Sequence, residues 1–195
     1  MEKTPLTQLL DIKYPIIMAP MFLVTNTKMM IEAINSGIAA CIPALNYRTD
    51  KLFREAIQEI RANTTSKGLG INLIVNKSNI KMQQQLKTCV ELGVDFIITS
   101  LGSPKQVIEQ CKPKGIKVFC DVVEEKYAVK VEQLGADAVI AVNSNAGGHA
   151  GKLTPEEIIP LLNKHCSIPV ISAGGIGTKD GINKIMDLGA AGLSI

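Results

Sequence analysis

The sequence contains no tryptophan, and aromatic residues make up only 4% of its 195 positions. A core without aromatic bulk has to come from Ile, Val, Leu and Ala, which favours parallel strands covered by helices over an aromatic-rich sandwich. Strong charge of either sign is lacking too, since 21 Lys+Arg against 18 Asp+Glu leave +3. That small excess forms no dense basic stripe for phosphates, so a nucleic-acid partner is not expected. No Cys-x-x-Cys pair occurs among Cys41, Cys89, Cys111, Cys120 and Cys166, and the odd number leaves one over in any disulfide scheme. Reduced thiols in a cytoplasmic protein are the simpler reading. The spacing of His and Cys suggests no metal. No uncharged apolar stretch approaches the roughly 18 residues that span a bilayer, and Met1-Glu2-Lys3-Thr4-Pro5 does not open a signal peptide, so no membrane association is expected.

What the chain does have is 46% hydrophobic residues in a length suited to one domain. Short apolar runs alternate with longer amphipathic ones. Strands are expected at 16–19, 38–42, 69–74, 96–99, 117–121, 138–142, 169–173 and 192–195. Helical patterns fall near 27–36, 51–62, 78–92, 104–113, 125–134, 155–165 and 178–188. The joints Leu92-Gly93-Val94-Asp95, Leu134-Gly135-Ala136-Asp137 and Leu188-Gly189-Ala190-Ala191 each end a helix on a glycine and open a strand. Thr154-Pro155-Glu156-Glu157 reads as a capping box with Pro at the first helical position. Eight strands with seven intervening helices is the count of a (β/α)8 TIM barrel; a doubly wound open sheet is the alternative. Such a barrel usually needs about 250 residues, so the chain reads as a barrel truncated in its eighth strand.

In a parallel α/β fold, ligands gather at the carboxyl ends of the strands. After the first strand comes Ala19-Pro20-Met21, either a rigid wall for a planar ligand or an ordinary turn. Asn72, in the apolar run Gly70-Ile71-Asn72-Leu73, either contacts a ligand or satisfies a neighbouring loop, because burying it unpaired is costly. After the sixth strand, the loop from Asn143 to Gly151 holds Ala146, Gly147, Gly148 and His149. Glycines let backbone amides approach a ligand, and a histidine there can take or give a proton near neutral pH. His165, at a helix end, reads as structural. After the seventh strand, Ser172-Ala173-Gly174-Gly175-Ile176-Gly177-Thr178 runs into a helix, a turn suited to phosphate. It is neither a dinucleotide fingerprint nor a P-loop.

Together, Ala19-Pro20-Met21, Gly70-Ile71-Asn72-Leu73, Ala146-Gly147-Gly148-His149-Ala150-Gly151 and Ala173-Gly174-Gly175-Ile176 resemble the nitronate monooxygenase family, formerly 2-nitropropane dioxygenases. The related flavin-dependent enoyl-acyl-carrier-protein reductases share these motifs. Ser100-Leu101-Gly102-Ser103-Pro104 is similar to that family's turn after strand four. The resemblance implies an FMN-binding barrel over residues 1–195 acting on a small-molecule substrate. Ala19, Pro20 and Met21 would line the isoalloxazine, and Asn72 would bond the flavin. Gly147 and Gly148, with Ala146 beside them, would approach from the sixth loop. Gly174 and Gly175, with Ser172 before them, would hold the phosphate, and Asn143 would stand in for a glutamine that bonds the ring in many members. His149 would act on substrate, orienting an alkyl nitronate or taking a proton from the neutral nitroalkane, with O2 completing conversion to a carbonyl compound and nitrite. The reductase reading uses NAD(P)H and an enoyl thioester instead, and a flavin-free barrel binding a phosphorylated substrate is a further alternative. Many members carry Arg where this chain has Ala150.

Overall fold

A computed structural model of the protein, described over residues 3–195, shows how the alternating pattern closes on itself. The strands are β1 (Ile16–Met18), β2 (Ala39–Pro43), β3 (Leu69–Ile74), β4 (Phe96–Ser100), β5 (Lys117–Val122), β6 (Ala138–Val142), β7 (Val170–Ala173) and β8 (Gly192–Ser194). They pair in chain order, all parallel. The three residues of β8 suffice to close the ring, with Leu193 opposite Ile16 and Ser194 opposite Ile17. The architecture is therefore the (β/α)8 barrel, and the open sheet is excluded.

A short helix, α1 (Pro5–Leu10), precedes the first strand. The crossovers are α2 (Thr27–Asn35), α3 (Asp50–Ala62), α4 (Met82–Leu92), α5 (Lys105–Cys111), α6 (Glu125–Gln133), α7 (Pro155–His165) and α8 (Lys179–Asp187). Sequence periodicity misses α1, because six residues are too few to display a period. The helix expected from 78 begins at Met82. Ahead of it Asn76 Oδ1 accepts from Ser78 N at 3.1 Å and Asn79 Oδ1 from Lys81 N at 3.1 Å, turns that compete with helical hydrogen bonds. After α5 the chain tightens into a 3-10 turn over Lys112–Lys114, where Pro113 has no amide to continue the helix. Among the described residues no helix is long and apolar enough to cross a membrane.

Two cores hold the ring. The larger lies between strands and helices and takes the outward strand residues, such as Ile42, Ile71, Ile97 and Val139, against Met30, Ile57, Leu86 and Leu162 of the helices. The smaller fills the barrel itself, with Ile17, Phe96, Ile98, Phe119 and Ile171, and is sealed at the amino end by Leu6 and Leu10 of α1. The rings of Phe96 and Phe119 lie 5.3 Å apart inside it. Gly70 is a packing residue here, since a Cβ on it would enter the Phe96 ring. The apolar filling stops below the carboxyl ends of the strands, and that end of the barrel is left open.

Candidate functional site

The open end is a cavity of about 1320 Å³. Its floor carries inward side chains of neighbouring strands: Asn72 on β3, Ser100 on β4 and Asp121 on β5. Ala19, Pro20 and Met21 form one wall, and the first loop is braced by Met21 N donating to Thr25 Oγ1 at 2.9 Å. Ala19 N donates to Ile195 O at 2.7 Å, which ties the loop after β1 to the end of β8.

The sixth and seventh loops meet further round the rim. Gly174 and Gly175 both take positive φ, +121° and +70°. A Cβ on Gly174 would lie 2.6 Å from Ala146 N and from Asn143 Oδ1, and one on Gly175 would lie 2.5 Å from Asn145 Cβ. No residue larger than glycine lets the two loops close together here. Gly147 and Gly148 are different, for a Cβ on either would meet nothing within 4 Å. Their neighbourhood is open space, which a bound group can use. Beyond Gly177, Thr178 caps α8, accepting from Gly181 N at 3.1 Å.

His149 stands exposed on the sixth loop and lines the cavity together with Gly147, Gly148, Gly174 and Gly175. It makes no side-chain hydrogen bond or ion pair among the described residues. The other histidine, His165, pairs with Glu125 Oε1 at 3.1 Å on the helical shell. Thus the structure brings Ala19, Pro20, Met21, Asn72, Ala146, Gly147, Gly148, His149, Gly174 and Gly175 to one cavity. Two candidates lie outside its lining. Asn143 is fully buried: its Oδ1 accepts from Asn145 N at 2.8 Å and its Nδ2 donates to Gly174 O at 3.3 Å. Ser172 is fully buried on the strand's other face, opposite Ala141 and Leu193 of the outer core, and its Oγ has no partner.

The sequence alone does not single out Ser100 and Asp121 as site residues. Asp121 Oδ2 accepts from Ser100 Oγ at 2.5 Å, and Ser100 Oγ accepts from Asn72 Nδ2 at 2.8 Å. Burial pushes the Asp121 carboxyl up to about 6, and the Ser100 hydroxyl opposes the rise. The available signal was alternation: Phe119 faces the barrel, so Asp121, two positions on, must face the same way.

Residues 77–195 match the family model described as nitronate monooxygenase. A probable nitronate monooxygenase of Staphylococcus haemolyticus is 31% identical over 235 aligned positions, covering 97% of this chain and 65% of that protein. The structure of FabK from Thermotoga maritima superposes with a TM-score of 0.93 at 31% identity, covering all of this chain and 61% of that one. Nitroalkane oxidase from Streptomyces ansochromogenes superposes at 0.88 with 21% identity, over 98% of this chain and 67% of that one, a likeness of fold. The chain thus spans less than two thirds of the length of the first two.

Proposed function

The chain belongs to the nitronate monooxygenase family, and we propose that it is an oxidoreductase holding a flavin, FMN, in the cavity at the carboxyl end of its barrel. The observation that carries this reading is the convergence of the sixth and seventh loops over one cavity, with His149 exposed in it and Asn72 on its floor. The residues present fit the group. Open space stands where side chains on Gly147 and Gly148 would be. The glycine turn at 174–177 leads into the amino end of α8, where backbone N–H groups suit a phosphate.

On this reading residues 1–195 form the FMN-binding barrel domain. Ala19, Pro20 and Met21 lie against the ring system and Asn72 hydrogen-bonds it. Ala146, Gly147 and Gly148 approach from the sixth loop, and Gly174 and Gly175 hold the phosphate. Asn143 supports the site from behind, since its amide already ties the sixth loop to the seventh. Ser172 backs the seventh strand from the outer core. The bound flavin supplies the electron acceptor that a peptide chain lacks.

The substrate is an alkyl nitronate or nitroalkane, oxidised with O2 to a carbonyl compound and nitrite. An imidazole nitrogen of His149, which makes no hydrogen bond or ion pair among the described residues, donates to a nitronate oxygen or takes the α-proton of the neutral nitroalkane. A second reading, reduction of an enoyl thioester by NAD(P)H, is favoured by the apolar mouth: Phe22, Leu23, Val24 and Leu101 are 61%, 71%, 57% and 52% exposed, a surface suited to an acyl chain. Flavin absorbance of the purified protein, with oxygen uptake and nitrite release from a nitronate, tests the first reading. NADH loss that depends on an enoyl thioester would put the second in its place. A colourless protein that stays colourless after incubation with FMN overturns both in favour of a flavin-free barrel.

A further inference from the structure

Asn72, Ser100 and Asp121 form a hydrogen-bonded row across three neighbouring strands, and all three line the cavity. Ser100 Oγ donates to Asp121 Oδ2 at 2.5 Å. Asn72 Nδ2 donates to Ser100 Oγ at 2.8 Å and to the Ile98 carbonyl at 3.2 Å. The chemistry of the partners fixes the direction of this row. A carboxylate only accepts, so the single hydroxyl proton of Ser100 goes to Asp121, leaving the Ser100 oxygen to accept from its other neighbour. The Ile98 carbonyl also only accepts. Both neighbours of the Asn72 amide therefore require an N–H, and Nδ2 supplies one to each. The flipped amide would set Oδ1 against the Ile98 carbonyl.

With both N–H groups of Asn72 engaged, its Oδ1 is what remains for a ligand. Among the described residues that oxygen has no protein partner. It is also not sealed away, since the buried side-chain polar atom left unpartnered among the described residues is Ser172 Oγ. Asp121 has the charge state this needs: burial raises its carboxyl only to about 6, so at pH 8 it is ionised.

We infer that Asp121 is a positioning residue, which acts through Ser100 to hold the Asn72 amide so that the cavity floor presents a hydrogen-bond acceptor and selects a ligand edge bearing an N–H. This rests on the flavin reading and sharpens it, because oxidised isoalloxazine has a single ring N–H, at the N3 imide. The acceptor selects that edge.

The test is titration of the ligand-free protein at pH 8 with FMN and with 3-methyl-FMN, whose methyl group removes the N–H, followed by flavin fluorescence. The wild type should prefer FMN by about tenfold or more, the effect of leaving a buried acceptor unpaired. Ser100→Ala cuts the row, leaving the Ile98 carbonyl as the one remaining restraint on the amide, and Asp121→Asn can donate as well as accept, so both should reduce that preference while Ser100→Thr keeps it. Methyl bulk alone would penalise every variant equally. A preference unchanged in Ser100→Ala and Asp121→Asn, or absent from the wild type, overturns the inference while leaving the flavin reading intact. If neither flavin binds the wild type, the flavin reading fails and the inference with it. Should Ser100→Ala not fold, the shape-conserving Asp121→Asn carries the comparison.

Discussion

Replacing Asp121 with Asn should stabilise the ligand-free protein at pH 8 and leave it nearly unchanged near pH 4. Asp121 faces a cavity, and the carboxyl rises from the ordinary 3.8 to about 6 because burial disfavours its charge more than the Ser100 hydroxyl favours it. The folded state therefore holds this proton more tightly than the unfolded chain does. Below pH 3.8 the carboxyl is neutral in both states and costs nothing; as pH rises through 6, stability is lost. A rise of about two pH units, at roughly 1.4 kcal/mol each, is about 3 kcal/mol. Water in the open cavity screens the charge, so that figure is an upper bound. Asparagine keeps the shape but cannot ionise, and its amide can meet Ser100 with either its oxygen or its N–H2. The assay is urea unfolding of both proteins at several pH values, followed by far-UV circular dichroism because the chain has no tryptophan. Groups that titrate alike in both proteins cancel in the difference. A difference that stays flat from pH 4 to 8, or one in which the wild type gains on the variant as pH rises, would refute the reasoning.

Other perturbations separate chemistry from architecture. His149→Ala should retain flavin and lose turnover by about 10²–10⁴-fold, the usual range for a missing acid–base group, as steady-state rates at matched flavin content would reveal. Gly174→Ala combines a backbone at φ +121° with a Cβ 2.6 Å from Ala146 N, so it should lower the melting temperature and loosen the sixth loop. Gly147→Ala, whose Cβ meets no protein atom, should melt like the wild type yet bind FMN more weakly; equal melting of the two glycine variants would contradict the loop assignment. Asp95→Ala removes the Oδ2 that accepts from Gly68 N and Leu69 N, both at 2.8 Å, and from Arg61 at 3.0 Å. Denaturant unfolding should show a loss on the order of 3 kcal/mol, typical of stranding buried donors that served a charge.

That last side chain explains part of what the sequence displayed without saying why. The Leu-Gly-x-Asp joints are legible as helix ends, and Gly93 and Gly135 take the positive φ that such an end needs, +62° and +96°. Their aspartates have a second task that spacing does not reveal. Asp95 holds the start of β3, and Asp137 accepts from Val118 N at 2.9 Å near the start of β5, so each joint pins the edge of a strand already laid down. The third joint, with Ala191 in that place, lacks such a side chain. Strand order and closure follow from the alternation of apolar runs. The helix starts that depend on local side-chain competition, as at Asn76 and Asn79, do not.

The site divides along a similar line. Glycines and a lone histidine in strand-end loops are visible because those residue types are unusual where they stand, and the loops carrying them do meet over one cavity. Yet composition does not distinguish the glycines that admit a neighbouring loop, Gly174 and Gly175, from those that leave room, Gly147 and Gly148; that difference exists only once the sixth and seventh loops are packed. Asp121 was hidden for the opposite reason. An acidic residue closing a strand looks like ordinary surface; alternation from Phe119 turns it inward, and the barrel's closure sets it beside Ser100. There it costs stability as an ionised group while orienting Asn72. A carboxylate so placed is disfavoured by folding alone, so a gain in stability for Asp121→Asn together with a loss of discrimination between FMN and 3-methyl-FMN would mark the residue as kept for its effect on a ligand.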